Sequence, residues 1–217
     1  MNMINNIIKF FAEGGFWMYP ILIVGAIGAA ITIERYIKLL LVQRANSQMW
    51  DQLHPVMAEG NFDLAREMTA DSKSAVGSLV SMGLERQGAV RRSDDIEIAM
   101  EEAMMEIVPQ LETRTPYIAL FANLATLLGL LGTIVGLIAA FDAVANANPA
   151  DKADLLSASI SIAMNTTAFG LMVAIPLLIC HSFIHSKAGA IVGSLEMISV
   201  KTLNMIAAMA KRQHQMS

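Results

Sequence analysis

Residues 161–176, SIAMNTTAFGLMVAIP, place Asn165, Thr166 and Thr167 in a row inside an otherwise apolar stretch. Polar groups at such positions can do two kinds of work: bond back to a helix carbonyl, or line a path for water and ions. A related group lies upstream, where Thr133 stands in the glycine-rich run GLLGTIVG of residues 129–136. That run lacks the Gly-Lys-Ser/Thr ending of a phosphate loop and lies in an apolar segment, so it cannot cradle nucleotide phosphates. His181 and His185 have the i, i+4 spacing of a metal pair, but no acid sits nearby to complete a site, and we read them as interfacial histidines. There is no Ser-His-Asp or Cys-His set, and the lone Cys180 rules out an intrachain disulfide. We therefore expect no enzyme, no catalytic residue, no cofactor, no metal and no nucleic-acid partner.

The absent chemistry is as informative. Residues 14–33, 115–141 and 155–180 contain no Asp, Glu, Lys, Arg or His, and each stretch reaches the roughly 20 residues that cross a bilayer core as a helix. With 55% hydrophobic and 16% charged residues, the composition is that of a membrane protein. A proton-driven machine needs a titratable group inside the membrane. Here the acid must come from another chain, or there is no proton relay.

These elements define an all-α membrane protein: three transmembrane helices, a cytoplasmic helical domain, and long helical extensions of spans two and three. Residues 1–15 form an interfacial amphipathic segment, with Ile4, Ile7, Ile8 and Phe11 at helical spacing and Gly14-Gly15 separating it from the first span. Residues 16–44 hold span one, 45–114 the cytoplasmic domain, 115–142 span two, 143–156 a short outer loop, 157–185 span three and 186–217 a helical tail. Trp17 and Tyr19 suit the outer aromatic belt and Tyr36 the inner one. Asp151 or Asp154 can start the third helix. Arg35, Lys38, Arg44, Arg91, Arg92, Arg114, Lys187, Lys201, Lys211 and Arg212 fall on one side of the spans, with only Lys9 and Lys152 on the other. That bias puts the N-terminus outside and the C-terminus inside.

In the cytoplasmic domain, breaks are expected at Pro55, Gly60, Ser72–Ser74 and Gly88. Ser93 or Asp94 can cap a helix with Ile96, Met100, Met104 and Ile107 inward and Glu97, Glu101, Glu102 and Glu106 on a solvated face, a partner-docking surface being the other reading. Pro109 should kink this helix and Pro116 should mark where the chain enters the membrane. In the tail, Ala188, Ile191, Leu195, Ile198, Thr202, Met205 and Met209 keep a three-four spacing, which predicts a homo-oligomer or packing on the loop domain.

Spans two and three each carry a stripe of small residues. In span two it runs through Ala122, Ala125, Thr126, Gly129, Gly132, Thr133, Gly136 and Ala140; in span three through Ser159, Ala163, Thr166, Thr167, Gly170 and Ala174. Such stripes let helices approach closely, and for the Gly and Ala positions packing is the expected role. For the threonines, packing and an ion path both stay open.

The segments LLGLLGTIVGLIAAF (127–141) and ISIAMNTTAFGLMVAIP (160–176) resemble the second and third spans of the MotA/TolQ/ExbB proton-channel family, and IERYIKLL (33–40) resembles the charged end of the first. The likeness covers three spans, their order and the large inner loop, and is similar to the ExbB/TolQ branch rather than to the four-span flagellar stators. It implies a bacterial inner-membrane homopentamer around a single-span ExbD/TolR-like subunit whose membrane Asp carries the proton, with a TonB-like or TolA-like protein as a further partner. It also implies that Thr133 and Thr167 are the family's channel-lining threonines, with Asn165 and Thr166 beside them. The sequence departs from ExbB and TolQ at Ile162, where those proteins carry a Glu. The expected function is an ion-conducting motor subunit that converts ion-motive force into work on the cell envelope. A non-conducting scaffold, or a related motor for gliding or another envelope task, are the alternatives, and H⁺ is not distinguished from Na⁺.

Overall fold

The computed structural model describes residues 10, 14–89 and 93–216, with backbone alone for 87–89, 93–94 and 211–216. Among them every regular element is helical: α1 Met18–Ala58, α2 Phe62–Ala70, α3 Ala75–Ala89, α4 Ser93–Glu112, α5 Thr115–Asn146 and α6 Lys152–Met216. Three runs, one through α1, one ending in α5 and one in α6, are long and apolar enough to cross a membrane. At 65 residues, α6 would extend about 98 Å, far beyond a bilayer core of about 30 Å. Of the expected N-terminal amphipathic segment only Phe10, Gly14 and Gly15 are described, and the Ser93 and Asp94 side chains lie outside the described residues.

Local chemistry sets the helix ends. α1 stops in a Schellman motif: the amide of Asn61 donates to the carbonyl of Val56, that of Gly60 to Met57, and Gly60 takes φ +83°, a left-handed conformation that glycine adopts without a Cβ penalty. Asn61 then caps α2, its Oδ1 accepting from the Leu64 amide at 3.2 Å. Ser74 caps α3 by accepting from the Gly77 amide at 3.0 Å. Two expected breaks do not occur. α1 runs through Pro55 to Ala58, and α3 includes Gly88 and ends at Ala89. A proline in the last turn removes one donor without ending the helix, and a helical glycine costs only about 1 kcal/mol.

Pro109 also lies inside a helix, α4, and the break between α4 and α5 falls at Thr113–Arg114, where Arg114 has φ +64°. Pro116 sits in the first turn of α5, as expected of a residue with no amide to donate. α6 begins at Lys152, one residue after Asp151.

The chain divides into two compact units. The apolar unit comprises the described residues up to Glu34 with Arg114–Phe183; the polar unit comprises Arg35–Thr113 with the rest of α6 from Ile184. In the polar unit, α3 packs on α2 and α4, and Leu53, Met57, Leu79, Leu84, Met100 and Leu195 are completely buried. The α6 stripe is buried there at Ala188, Ile191, Leu195, Ile198 and Thr202, with Ile206 taking the place expected of Met205. The Ser199 hydroxyl reaches the Met100 sulfur at 3.9 Å, so this stripe packs on the loop domain. Glu97, Glu101, Glu102 and Glu106 of α4 are exposed, as a solvated face requires.

Candidate functional site: the α5–α6 hairpin

The stripes of α5 and α6 meet. A Cβ built on Gly136 would lie 3.0 Å from the Ala163 Cβ, one on Gly132 2.5 Å from Thr166 Cγ2, one on Gly129 3.2 Å from Thr167 Cα, and one on Gly170 2.7 Å from the Ala125 carbonyl oxygen. Partners on α6 rise as positions on α5 fall, so the helices run antiparallel. At Gly129 and Gly170 the nearest atoms are backbone. Ala125, Gly129, Gly132, Gly170 and Ala174 are buried and Gly136 is half-buried, which is the close approach that small residues permit.

Successive helical residues point about 100° apart, so the polar triplet spreads over three directions. Thr166 is 2% exposed, and its hydroxyl lies 2.8 Å from the Gly14 carbonyl and 3.0 Å from that of Ile162. Thr167 crosses to α5 and donates to the Gly129 carbonyl at 2.8 Å. Asn165 is half-buried. Thr133, one turn beyond Gly129 on α5, is half-buried and donates to the Leu130 carbonyl at 2.6 Å. A carbonyl only accepts, so each of these hydroxyls is a donor in its bond and keeps oxygen lone pairs for an outside donor or a cation.

The Gly14 contact is the part that sequence reasoning missed. Gly14 and Gly15 form the turn before α1, with Gly15 at φ +73°; Trp17 lies against Gly132, and Ile162 faces Gly15. Thr166 thus pins the chain leading into α1 to the first quarter of α6, across 152 residues of sequence. The only local signal was the glycine pair. Ile162 is 42% exposed on the same side. α1 also docks through glycines, with Gly25 against Val173 and Gly28 against Leu177 and Phe121. Where the first charge-free stretch ends, Glu34 holds Arg114 through both carboxylate oxygens at 2.9 and 2.8 Å.

No group of three His, Cys, Asp or Glu side chains suited to a metal occurs among the described residues. Cys180 is a free thiol, and both His181 and His185 have interactions with other groups.

Comparison with known proteins places the hairpin. Residues 71–197 match the model of the MotA/TolQ/ExbB proton channel family, a region that includes α5 and the first part of α6. The chain is similar to an ExbB homolog from Methanothermobacter thermautotrophicus named for biopolymer transport, at 26% identity over 93% of this chain and 71% of that protein. It is similar to the Tol-Pal system protein TolQ of Haemophilus influenzae at 33% identity over 43% of this chain and 40% of the other. It is also similar to the biopolymer transport protein ExbB of Aquifex aeolicus, at 31% identity over 50% of this chain and 70% of that one.

Proposed function

The chain belongs to the MotA/TolQ/ExbB proton channel family, and from that premise we propose that it is the multi-pass subunit of an ion-driven motor in the bacterial inner membrane. In this reading it forms a homopentamer, N-terminus outside, around a single-span ExbD/TolR-like partner that supplies a membrane Asp. The observation that carries the reading is the pairing of charge-free spans with hydroxyls: residues 115–141 and 155–180 hold no Asp, Glu, Lys, Arg or His, while Thr133 and Thr167 present oxygen lone pairs.

The hydroxyl geometry favours a particular role. With their protons engaged by the Leu130 and Gly129 carbonyls, Thr133 and Thr167 act as acceptors. Acceptors favour the protonated form of a carboxyl group, which is the form cheapest to move past an apolar wall. They do so without the tight ion pair that a buried Lys or Arg would make. The drive is about 2.3 kcal/mol per charge per 100 mV, and a pair held by several kcal/mol would stall the cycle. The buried hydroxyl of Thr166, taken up by Gly14 and Ile162, holds the wall in place, and Asn165 adjoins it. The work done is displacement of the partner, transmitted to an envelope process such as outer-membrane transport.

A scaffold reading is favoured by one observation, that three hydroxyls of the hairpin are all bonded to backbone carbonyls. Proton flux separates the two. With the chain and its partner reconstituted in liposomes, Thr133→Val and Thr167→Ala should each lower partner-dependent flux by about tenfold or more, while Thr167→Ser retains most of it. Unchanged flux in correctly assembled variants would overturn the channel role of these residues.

A further inference from the structure

The polar unit contains a cavity of about 490 Å³ between α1, α3 and α4, within the range of about 300–1,000 Å³ typical of small-ligand sites. Two of its polar side chains, Lys38 and Lys73, are donors only. Lys38 of α1 and Lys73 of the turn before α3 bring two exposed ammonium groups to its wall, and α3 begins there, at Ser74 and Ala75. Asn46 also lines it and is only 4% exposed. Its Oδ1 accepts the Val76 amide at 3.3 Å and so caps α3, while its buried Nδ2 has no hydrogen-bond partner. A buried amide donor left unmade is costly, and such a group calls for an acceptor.

Charge and position narrow the ligand. Glu106 is the one carboxylate among the lining residues, so the two lysines outnumber it and the N-terminal end of α3 adds positive potential. The remaining wall, including Leu41, Val42 and Ile107, is apolar. Lys38 lies four residues past Glu34 on α1, close in sequence to the end of the charge-free stretch. Asn46 also borders a cavity of about 270 Å³ beside α6, but Lys201 is the one charged residue there.

We propose that the larger cavity binds a phosphate group, held by Lys38, Lys73 and the Asn46 amide, and that an acidic phospholipid supplies it with its acyl chains along the apolar wall. The test is thermal unfolding of the full chain in detergent, titrated with dihexanoyl phosphatidylglycerol, dihexanoyl phosphatidylcholine or inorganic phosphate. A saturable rise in Tm with the anionic lipid and not with the zwitterionic one is expected. The Lys38→Gln/Lys73→Gln double variant should bind about tenfold or more weakly, because charge-assisted bonds are the strong ones. Asn46→Asp should weaken binding similarly while keeping the cap on Val76, and if it fails to fold, the exposed lysine pair carries the test alone. A response to inorganic phosphate that the double variant loses upholds the site and assigns it to a free phosphate. No response to any ligand, equal response to both lipids, or unchanged affinity in the double variant overturns the proposal.

Discussion

Along the single helix α6, two ways of packing can be compared. In the apolar unit, Gly170 stands so close to α5 that a Cβ would fall 2.7 Å from the Ala125 carbonyl oxygen, and Thr167 bonds straight to backbone. In the polar unit the same helix buries Leu195, Ile198 and Ile206, while Gly189 and Gly193 face open space within 4 Å. Lipid tails are as apolar as a leucine, so helices there gain by close approach and by hydrogen bonds. A unit facing water gains from apolar area removed, at about 25 cal/mol per Å².

Substitutions in each unit should break or sharpen that contrast. The largest effect is expected for Gly170→Leu, which forces a side chain into backbone and should cost more than about 4 kcal/mol; loss of the folded fraction in detergent chromatography would register it. A tolerated leucine would show that the hairpin is not held by backbone approach. Next is Arg35→Gln in the polar unit. Arg35 is 1% exposed and donates to the Leu111 carbonyl in the last turn of α4; shortening it should cost about 2–3 kcal/mol, read as a lower midpoint of thermal unfolding.

Thr166→Val should cost about 1 kcal/mol, because it removes the bond to Gly14 and keeps the shape. Faster protease cleavage near residues 14–17, reversed in Thr166→Ser, would show that the hydroxyl pins that turn. The smallest effect is Gly189→Ala, expected to stabilise by about 0.5–1 kcal/mol as an alanine in an open helix interior. A destabilised Gly189→Ala would reveal that this face packs against a neighbouring copy.

Much of the fold was legible because its signals are local. The charge-free stretches mark the spans, the three-four spacing from Ala188 to Thr202 marks the buried face of α6, and Gly60 and Ser72–Ser74 mark turns. Pro55 and Gly88 misled because a breaker near a helix end is compatible with the last turn. Arg114 gave no sign of a left-handed backbone, since a non-glycine residue there depends on its surroundings, including the Glu34 pair.

For the candidate site, the sequence by itself determined which groups are available: small residues at helical spacing, Asn165, three threonines and no acid. Residue type and period suffice for that, because they are properties of one helix. Only the tertiary structure decided where each hydroxyl goes. Thr166 could be given to Gly14 and Thr167 to Gly129 only once packing had brought together backbone groups far apart in the chain, a register that no local pattern encodes, whereas Thr133 turns to Leu130 of its own helix. The buried Asn46 amide and the two lysines around its cavity have the same origin, since residues 38, 46 and 73 meet only when α1 packs beside the start of α3.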